Sequence, residues 1–272
     1  MNWTKVKVIL IILFALINIM LAGVLYSKNT DDSRFSDRTL EEIKTILKNN
    51  NIEVPDKFVI SDTETMSIPE ATPIMSYESS FIKKIRSTAE LNEKGDFIIG
   101  NTAVSVYEDI VHFENTAESS GGASGEEEAK LAAEKYFSEF GLDISGGFEG
   151  AVGNGGAFTL KYVQKYNGFD VFGAYGEVFV NGGTVSSANI VWYEISDNHI
   201  QSAKTVSPAE VLLDFAADKT RGEKACAVDS LVLGYTAQSD SGASVRNTQL
   251  IPSAKITTDI GSEFFYDIRN PA

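Results

Sequence analysis

The chain has 272 residues, 43% of them apolar and 22% charged, a composition that excludes a disordered chain and fits one large or two to three small folded domains. With 23 basic against 38 acidic side chains the net charge is −15, which excludes nucleic acid and anionic polymers as partners and favours basic ones. One cysteine, Cys226 in "KACAVDS", excludes an intrachain disulfide and reads as a small core residue.

The opening "MNWTKVKVILIILFALINIMLAGVLYSKN" carries no charge from Val8 to Tyr26. At a helical rise of about 1.5 Å per residue that stretch spans roughly 28 Å, close to the bilayer's hydrocarbon thickness. A cleavable signal has a shorter apolar region and a small-x-small site, and "MLAGVLYSKN" offers no clean one. Lys5 and Lys7 before the run, with Asp31 and Asp32 after it, orient the N-terminus inward. Trp3 and Tyr26 fall near the two interfaces, where aromatic rings anchor a helix. The expectation is a cytoplasmic stub (1–7), a transmembrane helix (8–26), a polar stalk (27–38) and a large extracellular part in contact with membrane lipid. Ile11, Ala15, Asn18 and Ala22 share one helical face, flanked by Gly23. Small residues around one amide are what close packing between membrane helices uses. On spacing alone, the alternative stands beside it that Asn18 is tolerated and the helix only anchors.

Three Ser/Thr-x-x-Glu boxes predict helix starts: Thr39 to Glu42, Ser124 to Glu127, and Ser207 to Glu210 with Pro208 at the first helical position. Each leads an apolar pattern of helical period, ending at "KNNN", at Gly141 and before Gly222. Their near-equal spacing predicts a repeated module of one helix followed by an antiparallel meander. After the second helix, Phe158, Leu160 and Tyr162 alternate with Thr159, Lys161 and Val163, and "YNGFD" and "NGG" mark hairpin turns. After the third come "DSLVLGYTA", "LIPSAKITT" and "SEFFYDI", also strand-like. The first unit is vaguer, since "FVISDTETMSIPEATPIMSYESSFIKKI" has strand composition but poor alternation. The resulting division is an N-terminal external module (39–116), a Gly/Ser linker (117–125), a middle module (126–204) and a C-terminal module (205–272). The fold class is α+β.

Chemistry is sparse. His112 and His199 are the only histidines, and neither zinc spacing nor a nucleophile or phosphate-loop motif occurs. "GAVGNGGAF" has the wrong glycine spacing for a phosphate loop and reads as a turn. Ser80-x-x-Lys83 and Ser196–Asn198 match two of three penicillin-recognising motifs, but Lys204-Thr205 runs on into Val206 and supplies no third. Asp31-Asp32 and Glu126–Glu128 lack the alternating ligands and glycine of a calcium loop, and acidic residues opening a helix suit its dipole. No cofactor, metal or catalytic residue is expected.

The start "MNWTKVKVILIILFALINIML" and the late "LGYTA…LIPSAKITTDIGSEFFYD" resemble the YycI (WalI) family of Gram-positive bacteria, whose length this chain fits better than that of its longer sister YycH. One departure is Pro252-Ser253-Ala254, where the family commonly carries Pro-x-Trp. The helix-then-meander repeat also resembles PepSY-like modules, which occur in many exported proteins and do not fix a function. The resemblance implies a membrane-anchored regulator, not an enzyme, acting with a WalK/YycG-type sensor histidine kinase and a YycH-like protein in cell-wall homeostasis. It gives the Ala15–Asn18–Ala22 face a use in partner packing. A reading from another class is an anchored PepSY-like binding or inhibitory module for an extracellular protease or wall hydrolase, with the helix only a tether.

Overall fold

The computed structural model describes residues 37–54, 65–118, 121, 125–221, 225–239 and 248–270. The expected membrane helix, its partner face (Ile11, Ala15, Asn18, Ala22, Gly23) and its anchors (Trp3, Lys5, Lys7, Tyr26) lie outside the described residues. Among those described, no helix is long and apolar enough to cross a membrane. The class is mixed α+β, with four helices and fourteen strands among the described residues. Contacts group them into two units, each assembled from separate stretches of chain.

Of the described residues, the smaller unit takes 37–54, 206–221, 225–231 and 256–264. Helix α1 (Asp37–Asn49) starts two residues ahead of the predicted Thr39 box, so Thr39 is inside the helix rather than its cap. The expected stop at "KNNN" occurs because Asn51 turns left-handed (φ 58°), a conformation asparagine tolerates better than most residues, while the Asn50 amide donates to the Ile46 carbonyl. Helix α4 (Pro208–Ala217) carries the predicted capping box: Glu210 N–H donates to Ser207 Oγ (3.2 Å) and Ser207 N–H to Glu210 Oε2 (2.8 Å). These helices bury Ile43 and Leu47 on one, Val211, Leu212 and Phe215 on the other. Beneath them the short strand β1 (Ile52–Glu53) pairs in parallel with Cys226 and Ala227. Cys226 is buried, as read from its sequence.

Of the described residues, the larger unit takes 65–118, 121, 125–205, 232–239, 248–255 and 265–270. In chain order its elements are β2 (Thr65–Pro73), helix α2 (Ser80–Thr88), β3 (Glu90–Leu91), β4 (Phe97–Ile99), β5 (Thr102–Tyr107) and β6 (Ile110–Asn115), followed by helix α3 (Glu126–Phe140). Then come β7 (Phe148–Asn154), β8 (Ala157–Tyr166), β9 (Phe169–Asn181), β10 (Thr184–Val191) and β11 (Tyr193–Lys204). Parts of β12 (Cys226–Ser239) and β13 (Thr248–Thr258) also belong to it, as does the end of β14 (Glu263–Asp267). The strands run in the order β11-β2-β13-β12-β9-β10-β6-β5-β4-β3, with β8 paired to β9 and β7 to β8. The grouping by contacts thus follows other lines than the division at 39–116, 126–204 and 205–272, since β12 and β13 each contribute to both units.

Two residue types make the meander. Asn167 (φ 50°) and Gly168 (φ 85°) form the two-residue turn between β8 and β9, and Gly182 (φ 54°) and Gly183 (φ 78°) that between β9 and β10. Positive φ at both central positions gives the turn whose twist matches the strands, which is why "NG" and "GG" serve there. "GNGGA" is likewise a turn, with Gly155 at φ 60° and Gly156 at φ 90°. Alternation then sends Leu160 and Tyr162 inward and Lys161 outward on β8, as expected.

Two corrections concern helices. Ser124 is not the cap of α3: the cap is Gly125, which makes no side-chain bond, and Glu126, Glu127 and Glu128 fill the first turn, favoured by the helix dipole. And Ser80–Thr88, which overlaps the end of the stretch assigned strand composition, is helical. Ser79 caps it, accepting from Ile82 N–H (3.0 Å), and Glu194 on β11 accepts from Ser80 N–H (2.8 Å), Ser80 Oγ (2.7 Å) and Phe81 N–H (2.8 Å). A carboxylate on three donors of a helix N-terminus outweighs the weak local propensity of a nine-residue segment. Helix α2 buries Phe81, Ile82 and Ile85, and α3 buries Ala129, Ala133, Phe137 and Phe140, against Val104, Phe113, Leu160, Val178, Ala188 and Ile190 of the sheet.

Candidate functional site

The strands that receive α2 and α3 on one face present the other to solvent. Register across that face lines up one polar row: Lys161 on β8 opposite Glu177 on β9, then Asn189 on β10, His112 on β6 and, covered from solvent, Ser105 on β5. Asn189 Oδ1 lies 2.8 Å from His112 Nδ1. An amide oxygen only accepts, so in this contact the ring nitrogen is the donor. Ser105 Oγ donates to Asp96 Oδ1 (2.7 Å), whose other oxygen accepts from Asn92 Nδ2 (2.9 Å). Those bonds, Ser105's first, hold the Asp96 carboxyl below the ordinary carboxylate range. Because the Ser105 hydroxyl is spent on Asp96, Ser105 and His112 do not form the nucleophile–base pair that acyl transfer requires. The adjoining positions carry Phe179, 37% exposed, and Tyr175, 39% exposed, with Glu114 also in solvent. Aromatics bordering a charged, hydrogen-bonded row are what a protein-contact surface is made of.

A cleft of about 470 Å³ opens on the helix side, between the C-terminal ends of α2 and α3 and the tips of β4–β6. Tyr136 and Thr102 share a hydroxyl–hydroxyl bond (3.0 Å) in it, and Lys84 Nζ donates to the Glu139 carbonyl (2.8 Å) at its mouth. Burial is the main reason the Tyr136 phenol is pushed up to about 12. A folded value above the unfolded one near 10 means this contribution to stability is complete below about pH 10 and lost as pH rises through about 12. We therefore expect alkaline unfolding in that window, and a shallower pH slope in Tyr136→Phe. Denaturant titrations at successive pH values check this; equal slopes in both proteins would rule it out.

The residues singled out in the sequence are mostly kept apart. Ser80 donates to Glu194, whereas Lys83 Nζ donates to the Glu78 carbonyl (2.6 Å), so the Ser-x-x-Lys pair is not a functional couple. The side chains of Asp197, Asn198 and His199 lie outside the described residues. In the smaller unit Cys226 Sγ has Arg221 Nη1 at 3.9 Å. Among the described residues no group of three His, Cys, Asp or Glu could hold a metal ion. Glu194, Asp96, Ser105 and Asn189 belong to no sequence motif, because cross-strand neighbours are defined only by register. No family model matches the chain, and no curated protein matches it. One solved structure similar to it is the 1.45 Å crystal structure of an uncharacterized protein from Eubacterium rectale ATCC 33656. It is 11% identical, with a TM-score of 0.49 over 86% of this chain and 97% of that one.

Proposed function

We propose that this protein is a membrane-anchored, extracytoplasmic regulator of a WalK/YycG-type sensor histidine kinase controlling cell-wall metabolism. It acts by protein contacts that include its N-terminal apolar helix, together with a YycH-like protein. The observation that carries this reading is the opening sequence, an uncharged stretch from Val8 to Tyr26 behind Trp3, Lys5 and Lys7, with Ala15, Asn18 and Ala22 on one face. A regulator of this kind biases a kinase between two arrangements by making better contacts in one of them. The resemblance of the late "LGYTA…LIPSAKITTDIGSEFFYD" to the YycI family supports the same reading.

The test places a photo-crosslinking residue at Ala15, Ala22 and, as the off-face control, Phe14 in living cells. Capture of a histidine kinase or a YycH-like protein from Ala15 and Ala22 but not Phe14 is the expected result. Lipid adducts alone at all three positions would reject a working helix. The solvent-facing aromatics Tyr175 and Phe179 favour a second reading, an anchored PepSY-like binding or inhibitory module for an extracellular protease or wall hydrolase. Replacing 8–26 by a plain Leu/Ala helix separates the two: it abolishes kinase regulation under the first and is harmless under the second.

A further inference from the structure

The cleft between the C-terminal ends of α2 and α3 and the tips of β4–β6 is lined by polar groups whose hydrogen-bonding capacity is only partly used. Lys84 Nζ carries three hydrogens, and its one partner among the described residues is the Glu139 carbonyl (2.8 Å). That bond satisfies the end of α3 and leaves two hydrogens on a full positive charge. The Tyr136 and Thr102 hydroxyls, both on residues lining the cleft, meet at 3.0 Å. Two hydroxyls hold two hydrogens and the bond between them uses one, so the pair keeps one to give. Glu139 follows Tyr136 by three residues on the same side of α3. Lys84 meets it through its carbonyl, and its carboxylate has no partner among the described residues. Other polar groups of the lining are spent: Thr88 Oγ1 donates to the Lys84 carbonyl (3.0 Å), and the Asn115 amide donates to the Val185 carbonyl and accepts from Ala117 N–H.

The open groups are therefore an ammonium with two hydrogens, one hydroxyl hydrogen and one carboxylate, beside an apolar wall of Ile85, Ile99 and Phe140. A carboxylic acid alone would meet Lys84 and the hydroxyl pair but bring like charge towards Glu139. An amine alone would meet Glu139 and be repelled by Lys84. A small molecule with both charges meets every group. Its carboxylate accepts from Lys84 and the hydroxyl pair, its ammonium donates to Glu139, and an apolar substituent lies against the wall. We propose that this cleft binds one α-amino acid with an apolar side chain, as its zwitterion. Its volume of about 470 Å³ falls within the range of small-molecule sites, which combine apolar walls with a few convergent polar groups in this way. The site goes beyond the regulatory reading and does not depend on it.

The test uses the full chain in lipid nanodiscs, labelled with 13C at the isoleucine δ1 methyls, with the Ile99 signal assigned through Ile99→Val. Leucine, methionine and phenylalanine are titrated in turn, each as both enantiomers. A saturable shift of the Ile99 methyl with at least one of them is the expected result. Isocaproate, which is leucine without its ammonium, and isoamylamine, which lacks the carboxylate, are expected to bind more weakly than leucine. Lys84→Gln keeps a donor for the Glu139 carbonyl while removing the charge, so the end of α3 stays satisfied. It and Glu139→Gln are each expected to weaken amino-acid binding about tenfold or more, the usual loss for a hydrogen bond to a charged group. Tyr136→Phe, which removes the spare hydroxyl hydrogen, is expected to weaken it less. No saturable shift with any of the amino acids overturns the proposal. So does a shift unchanged in both charge variants, or isocaproate binding as tightly as leucine.

Discussion

Phe113→Ala is expected to lower the free energy of unfolding by about 3–5 kcal/mol, the range for removing a large aromatic side chain from a packed interior. Phe113 is 0% exposed, and its ring meets those of Phe137 (5.1 Å), Phe140 (5.4 Å), Phe81 (6.1 Å) and Tyr136 (6.3 Å), all edge-on. Edge-to-face pairs add to the burial term, and these come from both helices at once. Collapse around the cavity is limited because β6 is held between β5 and β10, with Phe113 opposite Val104 on one side and Ala188 on the other. Phe113→Leu keeps much of the volume and is expected to lose less. Denaturant unfolding followed by circular dichroism measures both, and a loss below about 1 kcal/mol for the alanine variant would mean that the helices do not depend on this ring.

The sequence already marks much of this packing. Val111 and Phe113 alternate with His112 and Glu114, and the "NG" and "GG" turns fix where β8, β9 and β10 reverse. The Ser207–Glu210 box is legible because both of its bonds are local. What the sequence hides depends on partners distant in the chain. Helix α2 is one case: "SFIKKIRST" is short, its apolar residues suit a strand as well as one turn of helix, and the carboxylate that holds its N-terminus is Glu194, on β11. The start of α3 is another, since Ser124 and Gly125 are both acceptable caps and only geometry separates them. Of the candidate site, His112 was visible as one of two histidines. Its pairing with Asn189, and the pairing of Ser105 with Asp96, required the order of strands, which alternation does not give. Nor does the spacing of the boxes reveal that β12 and β13 are each divided between two units.

Gly147→Ala tests a constraint of a different kind, a backbone contact that a single methyl group violates. Gly147 closes the short 3-10 turn Ser145–Gly147 that carries the chain from α3 into β7, its N–H donating to the Ile144 carbonyl (3.1 Å). A Cβ there would lie 2.3 Å from the Val163 carbonyl oxygen, 3.0 Å from its carbon and 3.2 Å from Trp192 Cη2. Neither neighbour yields easily: Val163 is in the body of β8, paired with Tyr175, and Trp192 is buried in the core. Overpacking of this sort costs about 1–3 kcal/mol or more, and here the obstacle is a strand rather than a rotatable side chain. The adjacent Gly146 is the internal control, because a Cβ built on it has nothing within 4 Å. Gly146→Ala is expected to be neutral or to stabilise by about 0.4–1 kcal/mol through the unfolded chain. Unfolding midpoints that separate the two neighbours in this way would establish the turn as clamped against β8 and Trp192. Equal midpoints would mean the turn can lift from β8.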